Sequence, residues 1–441
     1  LMPGYPEEIT EIENAVKNGT LPEEDLDRNV SHILSVAART ISNKGYQFSN
    51  KPDLESHATL AREVAREGIV LLKNQAVLPL EAGKKVALLG VASYDTQPGG
   101  SGSGYVYRKY TVTIADGLEK AGYILDAGLK EAYNQHIAKV KSQLPAETSW
   151  AVPTVPEMSP SKDVIKGLAS QADVAVISLG RMAGEGGDRT YSEGDFLLTK
   201  EEKQLLELTA AAFHAKGKKV VVVLNMGSSI EMDGWQDSAD ALLMAWMPGQ
   251  EGGNAVADIL SGSVSPSGRL PITLARKYED IPASRNFGVS PGEVNAVRYE
   301  EDLMVGYRYF ASSDVKPAYA FGYGLSYTTF SIDGFEVKKA ADGGVDVEAI
   351  VRNTGKADGK EVLQIYVRKP GDDRPAMELC GFVKTPVIAA SASLEVKLHI
   401  SPDNLSQYVE ASDQLECVPG QYKFYAAAAS DDIRDTKVIE L

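Results

Sequence analysis

Between residues 57 and 270, short apolar runs alternate with segments of helical period, and no other feature restricts the fold of this chain as much. Val86–Gly90, Val174–Gly180, Val220–Asn225 and Ala241–Trp246 are the runs, and β-branched residues dominate two of them. Apolar runs with no polar alternation suit strands covered on both faces. Ile114–Ala121, Lys200–Ala215 and Glu251–Ser261 lie between or after them with helical spacing. Strands that alternate with helices pair in parallel, so a mainly parallel sheet with helices on both faces is expected. Residues 129–162 interrupt the pattern; polar and proline-containing, they are expected to run over the surface.

The character changes at both ends. Residues 7–18 place Ile9, Ile12 and Val16 at helical spacing and stop at Gly19, and Pro22 opens a second helix with Leu26, Val30, Ile33 and Leu34 on one face. Two helices this short cannot bury those faces alone and must pack on something larger. After residue 330, Val345–Arg352, Glu361–Arg368, Leu394–Ile400 and Gln421–Ala426 are strand-like and are separated by Gly, Asp, Asn and Pro turns. A small β-sandwich follows from that pattern. The Tyr-, Gly- and Pro-rich stretch 275–330 is the connector.

Composition excludes several classes of function. With 45 basic and 61 acidic residues the chain carries a net charge of −16, which repels phosphate backbones and leaves neutral ligands such as sugars unaffected. No apolar run approaches the roughly 18 residues of a membrane span. Cys380 and Cys417 belong to no CxxC or Cys/His cluster, the five histidines form no HExxH pair, and no metal or cofactor is expected. The two cysteines read as thiols rather than as one disulfide, and the lack of a disulfide framework leans towards the cytoplasm. Leu1-Met2-Pro3-Gly4 lacks the pattern of a signal peptide, and leucine at position 1 suggests an internal fragment.

Two loops could carry chemistry. Gly180-Arg-Met-Ala-Gly-Glu185-Gly-Gly-Asp188-Arg189 follows a buried strand, and ligands of open α/β sheets bind on such loops. Its glycines let the backbone approach a ligand and let the Glu185 carboxylate project. A lone Glu in a glycine-rich loop is nonetheless more often solvated than catalytic. Asp188 and Arg189 have a local reading as an ion pair that braces the loop, and Glu193 and Asp195 read as surface charges. Gly99-Gly-Ser-Gly-Ser-Gly104 can offer N–H groups and hydroxyls to a ligand or be a flexible turn. It has neither Walker A nor GxGxxG spacing, and no serine in it satisfies GxSxG.

Taken in order, these pieces resemble family 3 glycoside hydrolases over essentially the whole chain. Leu1-Met-Pro-Gly4 is similar to the end of that family's barrel, and HATLAREVAREGIVLLKNQAVLPL from His57 to Leu80 to the start of its second domain. GGSGSG, GEGGDR, Met247-Pro-Gly-Gln-Glu-Gly-Gly253, Gly306-Tyr-Arg308 and Phe321-Gly-Tyr-Gly-Leu-Ser-Tyr327 continue the match. The resemblance implies an α/β sandwich with a six-stranded, mainly parallel sheet, followed by an all-β fibronectin-III-like sandwich. It divides the chain into the barrel's end and linker helices (1–56), the α/β domain (57–270), a connector (271–330) and the β-sandwich (331–441).

The same resemblance places the general acid/base at Glu185 and a sugar-contacting serine at Ser103. It implies a retaining exo-β-glucosidase acting on a β-glucoside or short oligosaccharide, with β-xylosidase as the nearest alternative. A non-catalytic carbohydrate-binding scaffold is the alternative from another class. The family's nucleophile is a barrel aspartate, and a barrel's worth of sequence, about 250 residues, does not precede Leu1. The implied partner is therefore the N-terminal barrel segment, without which the chain is expected to be inactive. No nucleic-acid or membrane partner is implied, and a homodimer through the β-sandwich is left open.

Overall fold

A computed structural model describes residues 5–185, 188–287 and 296–441. The Leu1–Gly4 stretch, and Gly186 and Gly187 of the Glu185 loop, lie outside the described residues. The chain forms two compact units, one ending at Ser56 and the other running from His57 to Leu441. The first holds α1 (Pro6–Lys17) and α2 (Glu23–Arg39). Gly19 follows α1 with φ +70°, a conformation open to glycine at no steric cost. Neither helix buries a residue, and Ile9, Val30, Ile33 and Leu34 are exposed.

The second unit follows from α3 (Leu54–Gly68) and is organised by six strands, β1 (Val70–Asn74), β2 (Lys85–Leu89), β3 (Ile124–Leu125), β4 (Val174–Arg181), β5 (Lys219–Met226) and β6 (Ala241–Met244). They form one sheet in the order β1-β6-β5-β4-β2-β3. All neighbours pair in parallel except β1, which runs antiparallel to β6. The centre is the long β4–β5 ladder, from Val174 opposite Lys219 to Arg181 opposite Met226. Val220 to Leu224 are completely buried, as expected of strands covered on both sides. The expected sheet is therefore present, with β1 and the two-residue β3 added at its edges.

The covering helices are α4 (Ile114–Lys120), α5 (Ala127–Lys141), α6 (Lys162–Gln171), α7 (Lys200–His214) and α8 (Gly252–Ser261). Helix α4 packs on α8, and α6 on α7. Crossovers between parallel strands are right-handed, which sends those on either side of a reversal in strand order to opposite faces. Contrary to expectation, residues 129–162 are not one surface excursion. Helix α5 occupies the first half and buries Leu129 and Tyr133, leaving only residues 142–161 irregular.

That irregular stretch is anchored by Glu157, which accepts the Val91 N–H at 2.9 Å, the Met158 N–H at 2.9 Å and the Tyr133 hydroxyl at 3.2 Å. Burial pushes the Glu157 carboxyl from 4.5 up to about 7, although those hydrogen bonds favour its charged form. The folded chain then holds a proton that the unfolded chain has released, so stability falls as pH rises from 4.5 through about 7. The melting temperature is expected to drop between about pH 5 and pH 8, and Glu157→Gln to flatten that drop. Thermal melts across this range check it, and equal slopes in the two proteins would remove Glu157 as the cause.

The connector contains α9 (Tyr307–Ser312) and is fastened to the α/β domain rather than free of it. The Leu325 N–H donates to the Leu71 carbonyl at 2.8 Å, and Leu274 is buried in the core. The β-sandwich is built from β7 (Phe330–Lys339), β8 (Val345–Asn353), β9 (Val362–Arg368), β10 (Glu378–Lys384), β11 (Ser393–Ile400), β14 (Gln421–Ala429) and β15 (Asp432–Glu440). The short α10 (Pro402–Leu405) and the hairpin β12 (Gln407–Val409) and β13 (Gln414–Glu416) complete it. A four-stranded sheet, β10-β9-β14-β15, faces a three-stranded one, β11-β8-β7.

Strand β8 alternates between buried and exposed residues as a one-sided strand should. Strand β9 is buried almost throughout, because its outer face carries Tyr366 into a cluster with Tyr307 and Phe321 of the connector. Cys380 and Cys417 are separate thiols, and burial pushes the Cys380 thiol up to about 12.

Candidate functional site

The strand order places a reversal at β2. The chain leaves β2 for β3 at the edge, returns to β4 on the other side of β2, and continues outward through β5 and β6. Connections that leave in opposite directions open a crevice outside the carboxyl ends of the two strands at the reversal. The loop after β2 carries Gly99–Gly104, and the loop after β4 carries Glu185. Both candidate loops thus meet over one crevice.

They touch backbone to backbone. The Ser101 N–H donates to the Ala183 carbonyl at 3.0 Å, and Ser101 forms a parallel bridge with Gly184. A Cβ on Gly100 would sit 2.6 Å from the Ala183 oxygen, and one on Gly184 2.3 Å from Ser101 Oγ. Sequence alone assigned the glycines beside Glu185 to close approach of a ligand; in the structure Gly184 and Gly100 bring the two loops against each other. Ser103 and Glu185, 82 positions apart, are in contact: the Ser103 hydroxyl donates to Glu185 Oε1. Both residues are exposed, so the carboxylate remains open to a ligand.

Residues that the sequence did not mark support these loops. Asn225, at the end of β5, accepts the Gln97 N–H at 2.7 Å and donates to the carbonyls of Gln97 at 2.9 Å and Trp246 at 2.8 Å. It ties together the segments that follow β2, β5 and β6. Arg189 does brace its loop, but it reaches past Asp188: its guanidinium pairs with Asp195, donates to the Ser228 hydroxyl, and meets the Ser229 carbonyl at 3.2 Å.

Asp195 is therefore a counter-charge inside the loop rather than a surface charge. Burial opposes its ionisation, but the Thr190 N–H, the Arg189 guanidinium and the Thr190 hydroxyl outweigh that and hold the carboxyl below its ordinary range. The short Arg189 to Asp195 spacing was the one signal available, and a charge pair six residues apart in a loop is too common to stand out.

Among the described residues, no three His, Cys, Asp or Glu side chains gather where they could hold a metal ion. No described helix is long and apolar enough to cross a membrane. The chemistry on offer is that of an accessible carboxyl, held by a hydroxyl beyond the carboxyl ends of β2 and β4 and able to exchange a proton with a ligand oxygen.

Residues 69–327 match the family profile described as glycosyl hydrolase family 3 C-terminal domain, and residues 361–430 that of a fibronectin type III-like domain. A β-glucosidase of Ruminococcus albus is 35% identical over 399 residues, covering 88% of this chain and 40% of that protein. An exo-α-(1→6)-L-arabinopyranosidase of Bifidobacterium longum is 32% identical over 457 residues, covering 100% of this chain and 56% of that protein. The chain thus spans about half the length of the curated relatives it matches. The solved structure of β-glucosidase 3B from Thermotoga neapolitana in complex with α-D-glucose is 40% identical, with a TM-score of 0.91 over 98% of this chain and 61% of that one. With more than half of its residues inside the family profile and the same fold in a solved relative, the chain belongs to glycosyl hydrolase family 3.

Proposed function

We propose that this chain supplies the general acid/base of a retaining exo-β-glucosidase whose nucleophile is an aspartate of the family's barrel. The observation that carries the reading is the contact between Ser103 and Glu185 at the crevice between β2 and β4. A retaining glycosidase needs two carboxyl groups about 5–5.5 Å apart on opposite sides of the anomeric carbon. Glu185 protonates the departing oxygen while the barrel carboxylate attacks the anomeric carbon. It then takes a proton from the water that releases the sugar. Ser103 orients the carboxyl and contacts a sugar hydroxyl. Helices α1 and α2 lead out of the barrel in this reading, and the exposed apolar stripe of α2 suits a face that packs on it.

The names of the Ruminococcus and Thermotoga relatives support glucose as the sugar. The Bifidobacterium relative, which matches the chain from end to end, favours a pentopyranoside as the second reading. Sugar choice lies largely in the barrel, so both readings use the same Glu185.

The test is hydrolysis of 4-nitrophenyl β-D-glucoside and β-D-xyloside by the chain, with and without a separately supplied family 3 barrel. Gel filtration first establishes that the two segments bind. Turnover only in the combination is expected. Turnover by the chain alone would place a nucleophile within these 441 residues and overturn the division of labour.

A further inference from the structure

Arg181 ends β4 and is almost completely buried, as is its partner Glu202 in the first turn of α7. Its guanidinium has five N–H donors in a planar fork, and all five are used. Two go to the two Glu202 carboxylate oxygens, at 2.6 and 2.7 Å. The others go to the carbonyls of Gly180 at 2.7 Å, Asp195 at 2.9 Å and Leu197 at 3.2 Å. Gly180 lies where the chain leaves the sheet; Asp195 and Leu197 lie where the loop ends, just before α7. Glu202 is fixed in turn, accepting the Thr199 N–H at 2.8 Å in the capping box that starts α7.

One side chain therefore ties the departing and returning legs of the loop that carries Glu185. The next link is short. Asp195, whose carbonyl Arg181 holds, presents its carboxylate to Arg189, four residues beyond Glu185. A buried ion pair adds little net stability over apolar packing of the same volume. What a fully satisfied fork does provide is a single geometry for the backbone it binds.

We propose that the Arg181–Glu202 pair is the positioning clamp of the acid/base loop, setting where the Glu185 carboxyl stands relative to the leaving oxygen. The inference rests on the acid/base reading of Glu185. Arg181 and Glu202 are positioning residues and do not touch substrate.

The experiment compares wild type with Arg181→Met and Glu202→Gln in the chain assembled with its barrel. Two substrates are used: cellobiose, whose leaving sugar needs a proton, and 2,4-dinitrophenyl β-D-glucoside, whose phenolate leaves without one. Because kcat/KM reports the first, glycosylating step, a displaced acid is expected to cost ~10²-fold on cellobiose and about 3-fold or less on the dinitrophenyl substrate. Equal losses on both substrates, or no loss in a folded variant, would overturn the clamp. Should Arg181→Met not fold, Glu202→Gln decides, since it keeps the volume and one acceptor.

Amide hydrogen exchange gives an arm that needs no activity. Residues 183–197 should exchange ~10-fold faster in the variants while β4 and β5 are unchanged, and unaltered exchange in this segment sinks the proposal. Glu185→Ala, run alongside, separates the two ideas. If it fails to distinguish the substrates, the acid/base reading falls, and the clamp stands or falls on exchange alone.

Discussion

Replacing Glu185 with alanine in the assembled enzyme is expected to lower kcat/KM for cellobiose by about 10²–10⁴-fold, the range that one general acid contributes. The loss should shrink towards nothing on 2,4-dinitrophenyl β-D-glucoside. For that substrate the second step is expected to become limiting, because in the proposed mechanism the base that activates water is the same residue. Azide should then restore turnover: it attacks the anomeric carbon of the glycosyl-enzyme, the barrel carboxylate departs with its electron pair, and the product is β-glucosyl azide. Glu185 is exposed and its removal opens no cavity, so the fold should shift by no more than about 0.5 kcal/mol. Kinetics on the two substrates and identification of the azide product check this. A variant that keeps cellobiose activity within about 10-fold and ignores azide would move the acid/base role to another carboxyl.

The second large effect concerns stability. Arg269, just before the connector, and Glu361, immediately before β9, form an ion pair in which both side chains are only 9% exposed. Glu361 also accepts the Val362 N–H at 2.7 Å. Removing one partner leaves the other charged and buried, at a cost of about 3–5 kcal/mol. Glu361→Ala should therefore destabilise the seat of the β-sandwich on the α/β domain by that amount. The apolar double variant, Arg269→Met with Glu361→Leu, should recover most of it.

Surrounding contacts give the same seat additional anchors, including Glu67, which pairs with Lys360 and Lys384 at 2.6 Å each. The loss should accordingly show as early exposure of the β-sandwich in urea, read by limited proteolysis, rather than as collapse of the six-stranded sheet. A shift below about 1 kcal/mol would mean that solvent reaches the pair and that it behaves as a surface bridge.

Much of this architecture was legible in one dimension. The strands β2, β4, β5 and β6 and the helices α4, α7 and α8 announce themselves because burial on both faces demands continuous apolar runs, and burial on one face demands a period of 3.6. Other elements carried too little of either pattern. Strand β3 is two residues long. Helix α5 buries only Leu129 and Tyr133, and the Tyr133 hydroxyl accepts the Gly90 N–H at 2.9 Å, so its inward face is partly polar. Strand β15 is a partly exposed edge strand rich in charge, and edge strands are kept from pairing further by such residues.

Local order along the chain determined that residues 57–270 form a mainly parallel sheet under helices and that residues after 330 form a β-sandwich. It also singled out the two glycine-rich loops, and family likeness alone attached roles to Glu185 and Ser103. Only the tertiary structure decided that β4 lies beside β2 rather than beside β3, and the site depends on that choice. Ser103 and Glu185 touch because the chain reverses direction across the sheet, whereas Arg181 and Asp195 find their partners within the one segment that links β4 to α7. The physical reason is that periodicity records which face of an element is buried, whereas strand order is settled by which apolar faces pack together across long sequence separations.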